Sequence, residues 1–380
     1  MISTQQNAAD AVRAALAGCD GGRVLAALSG GVDSAVATLL AAEAGGVAVG
    51  VTMRLWSPGG GDEDAKARQC CGPTAFEDAR RAAARCGVSH FVVNFEAAFR
   101  RAVVDYFCAE YLAGRTPNPC VACNNLIKFG ALLDFARALG AETVVTGHYA
   151  RIRQSPDGPR LFRARDPLKD QSYMLAGLRR EQLASVVMPL GALTKEQTRE
   201  LARAHALDVA DKPDSMDLCF VDGDYRGFIE RRHPEAAQSG PVITSDGREV
   251  GRHDGLLGYT VGQRKGLPND LPGGPWYVVR TDRRANAVIV GRKEELAKTN
   301  VTCAAVNVIR EDVFSDGGPA AGVAVCRYRS KAIPARAYLA NGRLSVAFAE
   351  AVAVVTPGQL LVMYDESGAE VLASGIIEGD

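Results

Sequence analysis

The sequence predicts an α/β protein: a doubly wound parallel sheet first, a small mixed domain after it, and a β-barrel at the C-terminus. Three observations predict this. Short apolar runs of buried-strand length alternate with helical stretches between residue 24 and about residue 146, the pattern of parallel strands joined by crossover helices. A tight small-residue turn, Ser29-Gly30-Gly31-Val32-Asp33-Ser34, lies between the first run and the first helix. From about residue 299 the chain becomes six short strand-like segments separated by regular turns, the texture of a small barrel or sandwich. A length of 380 residues suits two or three domains, and the expected boundaries are 1–218, 219–298 and 299–380.

In order, the strands of the first domain are Val24 to Leu28, Val47 to Met53, His90 to Phe95 and Thr143 to Thr146. Helices are expected from Ala35 to Ala44, Ala75 to Cys86, Ala97 to Leu112 and Phe129 to Leu139, with a loop from Asp62 to Cys71. The segment GRTPNPC carries prolines at 117 and 119 and reads as an extended, exposed turn. Leu183 to Leu207 reads as mostly helical, with Thr194-Lys195 as a helix start. Leu257 to Val261, Trp276 to Arg280 and Ala287 to Val290 read as strands of the mixed domain. The last six are VTCAAVNVI, GVAVCRYR, ARAYLA, RLSVAFA, QLLVMYD and VLASGII.

The turn after the first strand carries chemistry. Two glycines let the backbone bend sharply and approach a ligand. The N–H groups of the turn and of the helix start make an anion cradle at the positive end of the helix dipole. Ser29 and Ser34 offer hydroxyl donors, and Asp33 is a carboxylate able to share a magnesium ion bridging phosphates. The sequence lacks the GxxxxGK[ST] pattern and the GxGxxG pattern here. SGGVDS after a strand instead resembles the PP-loop of the ATP pyrophosphatases, which implies cleavage of ATP between the α- and β-phosphates and adenylation of a substrate oxygen. Ligands in such sheets sit at the carboxyl ends of strands, where the turn, Met53 and the Gly147-His148 turn all follow.

Composition is that of an ordinary globular protein. No apolar run reaches membrane-spanning length, and the N-terminus lacks a basic start followed by an apolar core, so a cytoplasmic location is expected. Net charge is zero, but residues 226–293 hold twelve Lys and Arg against seven Asp and Glu, a local excess that steers a polyanion if it shares one face.

Ten cysteines are many for a reducing compartment, where catalysis, metal binding or burial explains them better than disulfides. Cys19, Cys86, Cys108 and Cys303 fall in apolar surroundings and read as small core residues. Cys70-Cys71 is a vicinal pair with no assigned role. Cys120-Val121-Ala122-Cys123 is a CxxC after a Pro-rich turn, and it stays open between three readings. A structural zinc site wants a second pair, which is missing. A dithiol redox pair fits the spacing. Persulfide chemistry fits as well, with Cys219 as the second thiol.

The set SGGVDS, GRTPNPCVACNNLIKFG, TGHYAR, KDQSYML, DSMDLCF, GYTVGQRKGL, RYRSKA and TPGQLLVMYD, in this order from about Leu25 to about Gly375, resembles the tRNA-specific 2-thiouridylase family. The resemblance implies a tRNA-uridine 2-sulfurtransferase. Such enzymes adenylate the 2-carbonyl oxygen of the wobble uridine with ATP and Mg2+, then replace it with sulfur from a cysteine persulfide. Cys219 matches the persulfide carrier, and Cys123 the nucleophile that forms a transient disulfide with it. Ala27, Leu28, Ser29, Gly30, Gly31, Val32, Asp33, Ser34, Met53 and Gly147 match the nucleotide site. His148, Lys169, Asp170, Gln171, Arg327, Tyr328 and Gln359 match tRNA-contacting positions, and Asn118, Pro119 and Cys120 the segment near the target base. The implied partners are a tRNA with an unmodified wobble uridine and a desulfurase or relay protein that donates sulfur. Without the family, Arg327-Tyr328-Arg329 reads as a strand with one charged face.

Many members carry an aspartate at the position of Cys120, where it serves as a general base; a thiol is a different acid and a better metal ligand. Cys120, Cys123 and Cys219 together offer the three thiolates of an iron–sulfur cluster with one open iron, which makes cluster-dependent thiolation an alternative. Another alternative is a different PP-loop ligase, which needs no paired cysteines. A third is a non-catalytic RNA-binding module, which releases no pyrophosphate.

Overall fold

The computed structural model describes residues 2–19, 23–57, 72–214, 218–221, 223–267, 274–315 and 317–379. The expected loop with Cys70 and Cys71, and Ser215 to Asp217 of the DSMDLCF motif, lie outside these residues. The chain falls into two compact units. The first comprises Met1–Val103, Cys120–Phe220 and Ala369–Val371; the second comprises Val104–Pro119, Val221–Gly368 and Leu372–Asp380.

The first unit is built on a five-stranded sheet in the order β3-β2-β1-β4-β7. Its strands are β1 (Val24–Ala27), β2 (Val47–Arg54), β3 (His90–Asn94), β4 (Thr143–Val145) and β7 (Val186–Val187), and every neighbouring pair is parallel. The four predicted strands are present. The fifth, β7, lies in the stretch read as mostly helical; two residues bounded by helical sequence carry no periodicity to detect. A hairpin of β5 (Ala150–Arg153) and β6 (Arg160–Arg163) follows β4.

Helices α1 (Ile2–Leu16), α2 (Val32–Glu43) and α3 (Pro73–Arg85) belong to this unit. Ala35, Val36, Ala37 and Ala41 of α2 are almost wholly buried against Val24, Ala26 and Leu28. Small side chains on that face let helix and sheet pack closely. The helix expected over 129–139 is two things. Cys123–Ala131 winds as π-helix and α5 (Leu132–Ala138) continues it as α-helix. Gln182 is buried and donates to the carbonyls of Asn125 and Phe129, supporting the widened turns from outside. The helix expected over 97–112 is likewise interrupted by π-helix at Arg100–Asp105, before α4 (Tyr106–Leu112).

The second unit holds a four-stranded sheet in the order β10-β11-β8-β9 and a closed six-stranded barrel. The sheet strands are β8 (Gly240–Thr244), β9 (Glu249–His253), β10 (Tyr277–Asp282) and β11 (Ala287–Gly291). Leu257 to Val261 is not a strand but a 3-10 turn, Leu256–Gly258, running into further turns. The barrel closes in the order β12-β15-β14-β13-β16-β17, with β12 (Lys298–Val308), β13 (Ala320–Val325), β14 (Ile333–Ala340), β15 (Arg343–Val352), β16 (Leu360–Tyr364) and β17 (Val371–Ile377). Alternation along β14 and β15 buries Ala335, Ala337, Leu344, Val346 and Phe348 inside.

In the Pro-rich segment, Arg115 to Asn118 belong to no helix or strand. Pro119 opens a short helical turn, Pro119–Ala122, that contains Cys120, because proline at a first helical position loses no hydrogen bond. Pro117 and Pro119 are buried, against the expectation of an exposed turn. Within the second unit the barrel holds this segment: Thr116 N donates to Pro357 O at 2.9 Å, and Gln359 Nε2 donates to Thr116 O at 2.8 Å.

Candidate active site

The order of the parallel sheet reverses direction at β1, whose neighbours are β2 and β4, so a crevice opens at its carboxyl end. The glycine loop fills one side of that crevice. Gly30 sits at φ +75°, and a Cβ there would lie 2.2 Å from the Ala75 carbonyl oxygen of α3. Only glycine passes this point. Gly147, after β4, closes on the loop from the other side: a Cβ there would lie 2.6 Å from Ser34 N. Gly31 is the N-cap of α2, and no side chain caps that end. The first N–H groups of α2 are therefore left to an anion.

The serines are used differently from the expectation. Ser34 Oγ accepts from Ser29 N at 3.1 Å and donates to Gly31 O at 3.0 Å, so its proton braces the loop. Ser29 Oγ lies 3.2 Å from it. Asp33, in the first turn of α2, accepts from Lys195 Nζ at 2.6 Å and lies 2.9 Å from the Tyr149 hydroxyl. Lys195 also reaches Asp214 Oδ1 at 2.8 Å, and Lys169 Nζ reaches Asp214 Oδ2 at 2.7 Å. Burial pushes the Asp214 carboxyl up, but the two lysines outweigh it and hold the group at about 2. Lys212 Nζ donates to Gly30 O at 2.9 Å and to Asp78 Oδ2 at 2.6 Å. Lys195, Tyr149, Lys212 and Asp214 were not singled out by sequence as parts of the site. The available signal was the helix start at Thr194-Lys195, which a capping box with Gln197 confirms.

The two thiols proposed for sulfur chemistry both belong to the first unit. Cys123 is buried at the opening of the π-helical run, which packs on the short helix Glu96–Phe99. Cys219 is half-buried; its neighbour Phe220 packs edge-on to Phe99 with ring centres 5.7 Å apart, and to Trp56 at 6.3 Å. Both cysteine-bearing segments thus dock on Glu96–Phe99. No disulfide joins them. Cys120 is exposed. Among the described residues, no three His, Cys, Asp or Glu side chains gather in a metal-holding group, so Cys120, Cys123 and Cys219 do not fit a preformed cluster site here. The other described cysteines behave as core residues. Burial raises the thiols of Cys86, to about 11, and of Cys303 and Cys326, to about 12, and also raises that of Cys108.

The residues matched to tRNA contacts are distributed. His148 Nδ1 lies 2.9 Å from Thr146 Oγ1, and its ring stands 5.4 Å from that of Phe129. Burial, then the Lys128 ammonium, pulls His148 well below the ordinary histidine range, so it is a neutral ring near pH 7. Asp170 is buried and accepts from Ala164 N, Ser172 N and Ser172 Oγ. Gln171 exchanges hydrogen bonds with the Tyr149 backbone, both at 2.8 Å. In this structure Asp170 and Gln171 hold the fold around β5, and Lys169 alone of that run extends to another carboxylate. Gln359 is buried under the Thr116–Pro117 backbone. In the second unit, Arg327 is exposed and lines a groove of about 510 Å3 with Thr260, Gln263, Ser330 and Lys331. The guanidinium of Arg329 lies 5.2 Å over the Tyr328 ring. Of the basic excess over 226–293, Arg232 stacks on Phe228 and Arg292 on Trp276, while Arg264, Lys265, Arg283 and Arg284 are exposed.

Family models match the chain in series: the tRNA methyl transferase HUP domain over residues 22–223, the tRNA methyl transferase PRC-barrel domain over 226–292, and the aminomethyltransferase beta-barrel domain over 311–377. A protein named tRNA-specific 2-thiouridylase MnmA from Carboxydothermus hydrogenoformans is 43% identical over 360 residues, 94% of this chain and 97% of that one. Its namesake from Moorella thermoacetica is 45% identical over 295 residues, 77% and 81% of the two chains. The one from Geotalea uraniireducens is 46% identical over 297 residues, 77% of each. No helix among the described residues is long and apolar enough to cross a membrane.

Proposed function

Because the chain belongs to the tRNA-specific 2-thiouridylase family, we propose that it forms 2-thiouridine at the wobble position of tRNA in two half-reactions. In the first, the glycine loop and the opening of α2 hold ATP while the uridine 2-oxygen attacks the α-phosphorus. Pyrophosphate leaves, and the oxygen becomes part of an AMP leaving group. Asp33, in the first turn of α2, is the residue that would help hold a magnesium ion entering with the nucleotide, and such an ion would draw charge from the phosphates.

In the second half-reaction the terminal sulfur of a persulfide on Cys219 attacks C2 and displaces AMP. The Cys123 thiolate then attacks the Cys219 sulfur, breaking the S–S bond to the nucleoside. This releases 2-thiouridine and leaves a Cys123–Cys219 disulfide, which a cellular thiol reduces. A desulfurase or relay protein reloads Cys219. The uridine must leave its stack to reach such a site, and Asn118, Pro119 and Cys120 are the segment proposed to receive it. His148, Lys169 and Arg327-Tyr328 are the proposed tRNA contacts, the last through phosphate pairing and stacking.

One observation supports this reading above the others. Lys212 and Asp214, a few residues before Cys219 in the chain, are both tied to the glycine loop, Lys212 to Gly30 O and Asp214 through Lys195 to Asp33. A nucleotide loop bonded to residues close in sequence to the proposed sulfur carrier supports an adenylate-then-thiolate sequence. The test is nucleoside mass spectrometry of unmodified tRNA incubated with the protein, magnesium-ATP and an iron-free persulfide donor. We expect 2-thiouridine together with pyrophosphate. Neither product, from protein that binds both ATP and tRNA, would sink the proposal.

A further inference from the structure

The glycine loop has a cradle of N–H groups and no lysine of its own: SGGVDS is followed by Ala35, Val36 and Ala37. Breaking the bond between α- and β-phosphates throws several negative charges onto the departing pyrophosphate, and N–H dipoles alone balance them poorly. The structure supplies ammonium groups from elsewhere in the chain. Among the described residues two reach the loop, and they are placed differently.

Lys212 donates to a carbonyl of the loop itself, Gly30 O, and pairs with the buried carboxylate of Asp78. It is committed to the backbone. Among the described residues, the Lys195 ammonium meets side chains only. Its Nζ bridges Asp33 Oδ1 and Asp214 Oδ1 at 2.6 and 2.8 Å and stands 5.9 Å from the centre of the Tyr149 ring. It is therefore held within hydrogen-bond distance of the first turn of α2, the turn whose N–H groups form the cradle.

The position of Lys195 is over-determined. It is the first residue of α6 (Lys195–Ala204), directly after the Thr194 cap. Thr194 Oγ1 accepts from Gln197 N, Gln197 Oε1 accepts from Thr194 N, and Asp166 Oδ2 accepts from Lys195 N at 3.0 Å. Thr198 Oγ1 donates to Thr194 O and lies 2.9 Å from the same Tyr149 hydroxyl that reaches Asp33. The side chain is nearly buried, 12% exposed. A preset ammonium costs no reorganisation when charge develops beside it.

We infer that Lys195 is the cation that takes up the β-phosphate charge of the departing pyrophosphate, with Asp166, Thr194 and Asp214 as positioning residues that hold it at the mouth of the loop. On nucleotide entry its ammonium exchanges the Asp33 carboxylate for a phosphate oxygen and keeps Asp214. The inference rests on the adenylation reading above and adds to it the residue that handles the leaving group.

The test uses the full chain and inorganic pyrophosphate with magnesium as the probe, titrated calorimetrically into wild type, Lys195→Met, Lys195→Arg and Asp214→Asn. We expect Lys195→Met to bind pyrophosphate about tenfold more weakly or worse, with Lys195→Arg close to wild type. In tRNA-dependent pyrophosphate release, Lys195→Met should lose about 100-fold in kcat with a much smaller change in KM for ATP. Asp214→Asn, which loosens the hold on the ammonium but leaves it in place, should lose less than Lys195→Met in both assays. Unchanged pyrophosphate affinity in a folded Lys195→Met, or a Lys195→Arg as weak as Lys195→Met, overturns the inference. The two readings fail separately. Wild type that binds pyrophosphate through Lys195 yet never adenylates tRNA removes the function and leaves the site. Wild type that adenylates, beside a Lys195→Met that does so equally well, removes only the role of Lys195.

Discussion

Gly147 and Asp33 touch backbone to side-chain position: a Cβ on Gly147 would lie 2.6 Å from the Asp33 carbonyl carbon and 2.8 Å from its oxygen. The turn after β4 and the start of α2 therefore share a surface that tolerates no methyl group. Backbone atoms on both sides leave nothing flexible to give way. That surface lies at the carboxyl ends of β1 and β4, where the crevice proposed for a nucleotide opens.

Gly147→Ala should consequently push α2 and the β4 turn apart. Overpacking of this kind costs about 1–3 kcal/mol, and here the displaced atoms include Ser34 N in the first turn of α2. We expect a lower melting temperature and an ATP affinity weakened about tenfold or more. Titration of ATP into wild type and variant checks it. Equal affinities would mean that the β4 turn does not shape the nucleotide site.

Separating the half-reactions is the purpose of the cysteine variants. Cys123→Ser and Cys219→Ser should each leave tRNA-dependent pyrophosphate release near the wild-type rate, because neither thiol lies in the glycine loop. Each should abolish 2-thiouridine formation, to below about one part in a hundred of wild type. Cys86→Ser, at a thiol that burial holds near 11, should keep both activities. Loss of pyrophosphate release in either of the first two variants would show that adenylation depends on the thiols.

Much of this was legible in the sequence, and the misses share a cause. The glycine loop, the four longer strands of the parallel sheet and all six barrel strands were readable because each is a local pattern: a turn signature or an apolar run. Strand β7 was missed because two residues make no pattern. The π-helical runs at 100–105 and 123–131 read as α-helix because composition does not distinguish their pitch; Gln182, more than fifty residues away in sequence, supports the second. The same holds for the site. Ser29 to Ser34 announced themselves, whereas Lys195 and Tyr149 converge on Asp33, and Asp214 on Lys195, only through the tertiary fold. Asp170, Gln171 and Gln359 are matched to tRNA contacts only through the family resemblance, and the structure gives each internal hydrogen bonds.

Gln359 is the clearest of these for experiment. It is 8% exposed, and its amide serves the carbonyls of Thr116 and Pro117 at 2.8 and 3.4 Å, just before Asn118 and Pro119. Gln359→Leu keeps the bulk and strands two acceptors, at about 1–3 kcal/mol for a buried polar group left unpaired. The expected result is reduced stability to urea and a raised KM for tRNA, with KM for ATP unchanged. Were tRNA binding to weaken with stability untouched, Gln359 would be a direct tRNA contact and not a positioning residue.

His148 gives a prediction in pH. Burial, and secondarily Lys128, sets its folded pKa well below the ordinary 6.5. On acidification the unfolded chain takes up the proton first, and unfolding is favoured. The stability due to a neutral His148 is thus whole above pH 6.5 and diminishes as the pH falls beneath that value. His148→Asn removes this titration. Urea midpoints measured at about pH 7.5 and about pH 5.5 should therefore fall less in the variant than in wild type. The neutral ring has a second consequence: it offers a tRNA phosphate no positive charge. The salt dependence of tRNA binding near pH 7.5 should keep its slope in His148→Asn, whereas Arg327→Gln, if Arg327 pairs with a phosphate, should lower the slope by about one. A slope changed by His148→Asn would mean that the imidazole is protonated in the complex.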